Sequence, residues 1–168
     1  MCGILGIISK REFDVKLFLE MLRSLFFRAI VTADRGIIDG FGIYLKTANG
    51  KNLIYILGRR DHIALEDEFQ KMIDYLHETG FSKIILGLGH LRYATIGVAD
   101  INNSHPHIYP FIERKNDPFI QSLDEEKYYI VVHNGDLWHL NPLLRIYDIR
   151  KNAGIKATSD SALIPYMI

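Results

Sequence analysis

The chain opens Met1-Cys2-Gly3-Ile4-Leu5-Gly6-Ile7-Ile8, an apolar, β-branched run that reads as a buried strand starting at the terminus itself. Such a start ties the N-terminus into the core and puts a cysteine at the mouth of the first strand. Next, Val15, Phe18, Leu19, Leu22, Leu25 and Phe26 recur at three- and four-residue spacing, which predicts an amphipathic helix from Asp14 to Arg28 with Asp14 as its cap. Runs from Gly42 to Thr47 and from Leu53 to Leu57 flank an Asn49-Gly50 pair suited to a turn with positive φ, so an antiparallel hairpin is expected. Leu65, Phe69, Met72, Ile73 and Leu76 mark a second helix, Ala64 to Glu78, with Gly80 as its C-cap.

A strand from Lys83 to Tyr93 then delivers a polar cluster, His90, Arg92 and Thr95, at its end. A run from Tyr128 to Val132 does the same with His133-Asn134-Gly135. Two strands ending in polar clusters suggest one shared site. The stretch between them, residues 100–124, carries Pro106, Pro110 and Pro118 and reads mainly as loop. A helix is expected from beyond Pro142 to about Lys151, and Ser159-Asp160 reads as the N-cap of a further one.

Composition narrows the function class. Twenty Lys and Arg balance twenty Asp and Glu, so the overall field recommends neither nucleic acid nor an anionic membrane as partner. A small-molecule ligand is the expectation. One cysteine excludes an internal disulfide. No signal-peptide pattern and no bilayer-length apolar run is present, so a cytoplasmic location is predicted. At 168 residues one domain is the default.

Cys2 is the most informative position. Removal of Met1, favoured by a small second residue, places a thiol beside a free α-amine. Their reference pKa values, about 8.5 and about 7.7–8.0, are close enough for the amine to serve as the base without a separate histidine. Taken alone, the residue is explained equally well as a small buried hydrophobe.

Neighbouring motifs break that tie. The opening Met-Cys-Gly-Ile, Gly89-His90-Leu91-Arg92-Tyr93-Ala94-Thr95, Asn103-Ser104-His105-Pro106-His107, His133-Asn134-Gly135 and Thr158-Ser159-Asp160-Ser161 occur in this order. In that order they resemble the class II glutamine amidotransferases, a family of N-terminal-nucleophile hydrolases. Asp39-Gly40-Phe41-Gly42-Ile43 resembles a further family segment, with a departure in its spacing from Arg35-Gly36 that leaves the subfamily open.

The resemblance implies an α+β fold, a four-layer αββα sandwich. It also implies that residues 1–168 are a glutaminase domain, C-terminally incomplete because relatives continue with more strands. The implied activity is hydrolysis of glutamine to glutamate and ammonia through a Cys2 thioester, with the ammonia passed to a synthase domain or subunit. Arg92 would take the glutamine α-carboxylate with its planar fork, assisted by Thr95, and Asp160 would take the α-ammonium. His105 would shape the pocket, while Asn134 and the backbone N–H of Gly135 would hold the oxyanion. Neither metal nor cofactor is implied, although His90, His105, His107, His133 and His139 could in principle supply zinc ligands.

Each of these residues has a plainer use as well. Arg92 could sit in a salt bridge, Asp160 could cap a helix, and Asn134-Gly135 could be an ordinary turn. Trp138-His139 departs from many relatives, which carry an asparagine there. Two other functions fit the same residues: a non-catalytic glutamine-binding or assembly module, and an N-terminal-nucleophile amidase of another substrate.

Overall fold

In a computed structural model, residues 2–33, 36–93, 99–124, 127–135, 137 and 150–168 are described, the side chains of residues 27–33 and 62 apart. A five-stranded antiparallel sheet organises the chain. Its strands are β1 (Gly3–Asp14), β3 (Gly40–Lys46), β4 (Asn52–Leu57), β6 (Lys83–Arg92) and β8 (Phe119–Ser122), in the order β1-β6-β3-β4-β8. Two short ribbons accompany it: β2 (Ile37–Ile38) with β5 (Arg60–Asp61), and β7 (His107–Tyr109) with β9 (Tyr129–Val131).

Helices α1 (Val15–Ala33) and α2 (His62–Glu78) cover one face of the sheet. Asp14 Oδ1 accepts from Lys16 N at 2.8 Å to start α1, and Asp61 Oδ1 accepts from Ala64 N at 2.8 Å to start α2. Both predicted stripes turn inward, with Phe18, Leu22, Leu65 and Met72 fully buried against Phe41, Ile43 and Leu91. The approach is close because β6 carries glycines here: a Cβ on Gly87 would lie 2.7 Å from Phe18, and one on Gly89 2.5 Å from Leu22. α2 ends at Glu78 with Thr79 as its C-cap, so Gly80, expected as the cap, instead takes the next position, in the left-handed region at φ 85°.

On the opposite face Tyr44, Ile54 and Ile56 pack against Ile108, Phe119 and Leu123, so the β7–β9 ribbon and its flanking loops form the layer there. The molecule is therefore a mixed α+β protein. Among the described residues no helix is long and apolar enough to cross a membrane.

Two expectations need adjustment. The first strand is longer than Cys2–Ile8, running to Asp14 with a register irregularity between Ile8 and Phe13. It is also only half-buried: Leu5 and Ile7 pack on the core, whereas Ile4 is 39% and Ile8 82% exposed. Among the described residues β1 is a sheet edge, paired with β6 alone. Residues 100–124, read mainly as loop, also hold a 3-10 turn (Ile101–Asn103), β7 and β8, whose pairing partners lie elsewhere in the chain. The helix expected from Pro142 falls largely on residues 142–149, outside the described residues.

Candidate active site

Antiparallel register brings the start of β1 to the end of β6. Gly3 pairs with Leu91, so Cys2 meets the end of β6. Its Sγ accepts a hydrogen bond from Tyr93 N at 3.3 Å and can donate to Tyr93 O, also at 3.3 Å. From the end of β9, Asn134 reaches back to donate through Nδ2 to the Cys2 carbonyl at 3.4 Å. Gly135 beside it has φ 155°, a backbone that L side chains rarely adopt, and a Cβ there would meet the His133 ring at 3.2 Å.

Arg92, the last residue of β6, is only 3% exposed. Burial pulls its pKa down, and the negative charges of Asp39, Cys2, Asp100 and Asp160 act against that. The guanidinium thus stands in the field of both Cys2 and Asp160. Across the ladder Arg92 faces Gly40, where a Cβ would lie 2.0 Å from Ser104 Oγ; a Cβ on Gly42 would lie 2.0 Å from the His105 carbonyl. Those two glycines let residues 104–105 cross directly over β3.

Asp160 opens a 3-10 turn (Asp160–Leu163) that leads into the short helix α3 (Ile164–Met167). Its Oδ2 accepts from Leu137 N at 2.5 Å and its Oδ1 from Ser161 N at 2.8 Å. Ser161 Oγ in turn meets His133 Nδ1 at 2.9 Å, linking Asp160 to the Asn134 segment. Ser159 does occupy the N-cap position, but its hydroxyl makes no cap bond and instead meets His107 Nε2 at 3.0 Å.

Behind these residues lies a buried imidazole stack. His105 sits with its ring centroid 3.9 Å from that of His90 and 4.2 Å from that of His107. Burial holds His90 down to about 3, the His133 backbone only partly offsetting it, and pushes His105 and His107 well below the usual imidazole range. All three rings are neutral at physiological pH. Beside them, buried Arg114 donates to the carbonyls of Ile101 (2.7 Å), Pro106 (2.6 Å) and Ser104. Desolvation brings its pKa down to about 9. Among the described residues no three His, Cys, Asp or Glu side chains converge as a metal would need.

The structure thus gathers Cys2, Arg92, Asn134 and Gly135, with Asp160 joined through His133, Ser161 and Leu137. His105 lies beneath, in the stack rather than at the surface. Thr95, Met1 and Trp138-His139 lie outside the described residues. The sequence singled out neither Asn103 and Ser161 nor Arg114, and His107 only as a possible zinc ligand; the first two sit within the motifs, whereas nothing about Arg114 sets it apart from a surface arginine.

The fold and the site define an α+β protein whose second residue, a cysteine, lies among an arginine, an asparagine and an aspartate from distant segments. Comparison with known proteins says which group that is. The chain is 29% identical over 168 residues to glutamine–fructose-6-phosphate aminotransferase (isomerizing) of Methanococcus maripaludis, spanning all of this chain and 22% of that protein. It is 24% identical over 177 residues to amidophosphoribosyltransferase of Mus musculus, spanning 99% of this chain and 28% of the relative. To the aminotransferase of Bartonella henselae it is 34% identical over 108 residues, 64% of this chain and 15% of the relative. No family model matches. These relatives are class II glutamine amidotransferases, and this chain is a homologue of theirs that spans between about a seventh and just over a quarter of their length.

Proposed function

We propose that residues 1–168 form a glutaminase domain that hydrolyses glutamine to glutamate and ammonia and supplies the ammonia to a synthase domain or subunit. The observation that carries this reading is the meeting of Cys2 Sγ with the Tyr93 backbone while Asn134 Nδ2 reaches the Cys2 carbonyl, beside the buried Arg92.

In this reading Met1 is removed and the Cys2 α-amine takes the thiol proton. The thiolate adds to the side-chain amide carbon of glutamine; the C–N bond then breaks, the amine returns its proton to the departing nitrogen, and ammonia leaves a thioester. Water hydrolyses the thioester to glutamate and free Cys2. Negative charge develops on the amide oxygen in both additions, and the Asn134 amide with the Gly135 N–H are the donors that would meet it. Arg92 pairs with the α-carboxylate through a two-pronged donor set, with Thr95 adding a hydroxyl, and Asp160 pairs with the α-ammonium. His105 shapes the floor. Opposite charges set apart in this way select a zwitterionic amino acid over a simple amide.

The helix layer, the large sheet and the β7–β9 ribbon are compatible with a four-layer αββα sandwich, which is part of the proposal, as is a cytoplasmic location. Labelling with 6-diazo-5-oxo-norleucine, read by intact mass, tests the reading. A single adduct on protein lacking Met1, absent from Cys2→Ala, supports it; no adduct on folded protein lacking Met1 moves the function to a non-catalytic module.

A further inference from the structure

Residues 158–159, which deliver Asp160, lie in neither a strand nor a helix, yet their backbone is bonded on every side. Asn103, 1% exposed, accepts through Oδ1 from Thr158 N at 2.6 Å and Ser159 N at 2.8 Å. Its Nδ2 donates to Thr158 Oγ1 at 2.9 Å. From the other side Arg150 Nη2 donates to the carbonyls of Thr158 (2.7 Å) and Ser159 (2.9 Å). His107 holds the Ser159 hydroxyl at 3.0 Å. Both N–H and both C=O groups are thus bound by side chains more than 50 residues away or on the neighbouring turn, the work a β-ladder would do elsewhere.

We propose that Asn103 is a positioning residue for Asp160, a clip that sets where the carboxylate stands and thereby the affinity for the α-ammonium of the substrate. The inference rests on the glutaminase reading. Each backbone residue has two soft dihedrals, so losing the Asn103 bonds frees both N–H groups of residues 158–159 and loosens the placement of Asp160, which its own bonds from Leu137 N and Ser161 N then hold with less support. An asparagine supplies both what two N–H groups need and what a threonine hydroxyl needs. Aspartate keeps the acceptors, and the Thr158 hydroxyl can turn to donate to it.

The clip acts on substrate affinity, so its signature is a shift in concentration dependence rather than in the reactivity of Cys2. The experiment compares 6-diazo-5-oxo-norleucine, which carries the α-ammonium, with iodoacetamide, which does not, on the full chain. Asn103→Ala is expected to raise the half-saturating concentration of the glutamine analogue about 10-fold, with the saturated labelling rate and the iodoacetamide rate near wild type. Asn103→Asp should stay within about 3-fold of wild type, and Thr158→Val, which removes the hydroxyl that accepts from Asn103 Nδ2, should shift about 3-fold.

If folded Asn103→Ala saturates at the wild-type concentration, or loses iodoacetamide reactivity in parallel, the positioning role is wrong. Should Asn103→Ala fail to fold, an unshifted Thr158→Val has the same meaning. A wild-type protein that reacts with iodoacetamide but never with the analogue overturns the glutaminase reading and the inference with it, so the two failures are told apart.

Discussion

Asn134 donates its side-chain amide to the main-chain carbonyl of Cys2 across 3.4 Å, though 132 residues separate the two. In the proposed glutaminase reading, this amide, held beside Cys2, is the side-chain donor for the negative charge that develops on the substrate's amide oxygen. Asn134→Ala is therefore expected to lower kcat for glutamine hydrolysis by about 10²–10³-fold with little change in KM. Steady-state ammonia release checks this; an unchanged kcat would remove Asn134 from the oxyanion site.

Arg92→Lys should behave as a severe change despite the retained charge. Lysine lacks the planar fork that fits a carboxylate and sits less readily among Asp39, Asp100 and Asp160, whose fields help hold the buried guanidinium charged. A rise in KM of about 10–100-fold is expected, measured by glutamine titration. A shift below 2-fold would mean that Arg92 serves the fold instead.

The imidazole stack makes the fold acid-sensitive. His90, His105 and His107 have folded pKa values depressed by burial, against about 6.5 in the unfolded chain. The unfolded chain then binds more protons below that value, so the stability present above it is lost as pH falls, by about 1 kcal/mol per histidine between pH 6.5 and 5.5. Urea unfolding across this window should show the slope, and His90→Leu should flatten it by roughly a third. A flat wild-type profile would show that the rings charge within the fold.

Two glycines should differ sharply. A Cβ on Gly42 would meet the His105 backbone carbonyl at 2.0 Å, whereas one on Gly89 would meet the end of the Leu22 side chain at 2.5 Å. Side chains yield more readily than backbone, so Gly89→Ala is expected to cost about 1–2 kcal/mol and Gly42→Ala about 3 kcal/mol or more. Comparable urea midpoints would show that the 104–105 crossing is soft.

Much of the framework was legible in the sequence because it is local. Helices α1 and α2 declared themselves by periodicity and caps, the β3–β4 hairpin by Asn49-Gly50, and β6 by an apolar run ending in Arg92. The motif order brought in Cys2, Asn134 and Asp160. What escaped depends on contacts distant in sequence. β7 and β8 are short segments among prolines that become strands only by pairing with β9 and β4. Ser159 has the residue type and backbone of a cap, and only the nearby His107 diverts its hydroxyl. Arg114 looks like any surface arginine until three carbonyls close on it.

A chain terminus is ordinarily where a protein frays first, and a reactive group placed there would drift with it. Here Cys2 continues a strand whose partner, β6, lies between it and β3, and Tyr93 grips the thiol with both its N–H and its carbonyl. Opening those last rungs alone would be enough to release the sulfur. The reactivity of Cys2 is in that sense a gauge of the sheet's end: the rate of thiol alkylation reports how often the first rungs of β1 come undone.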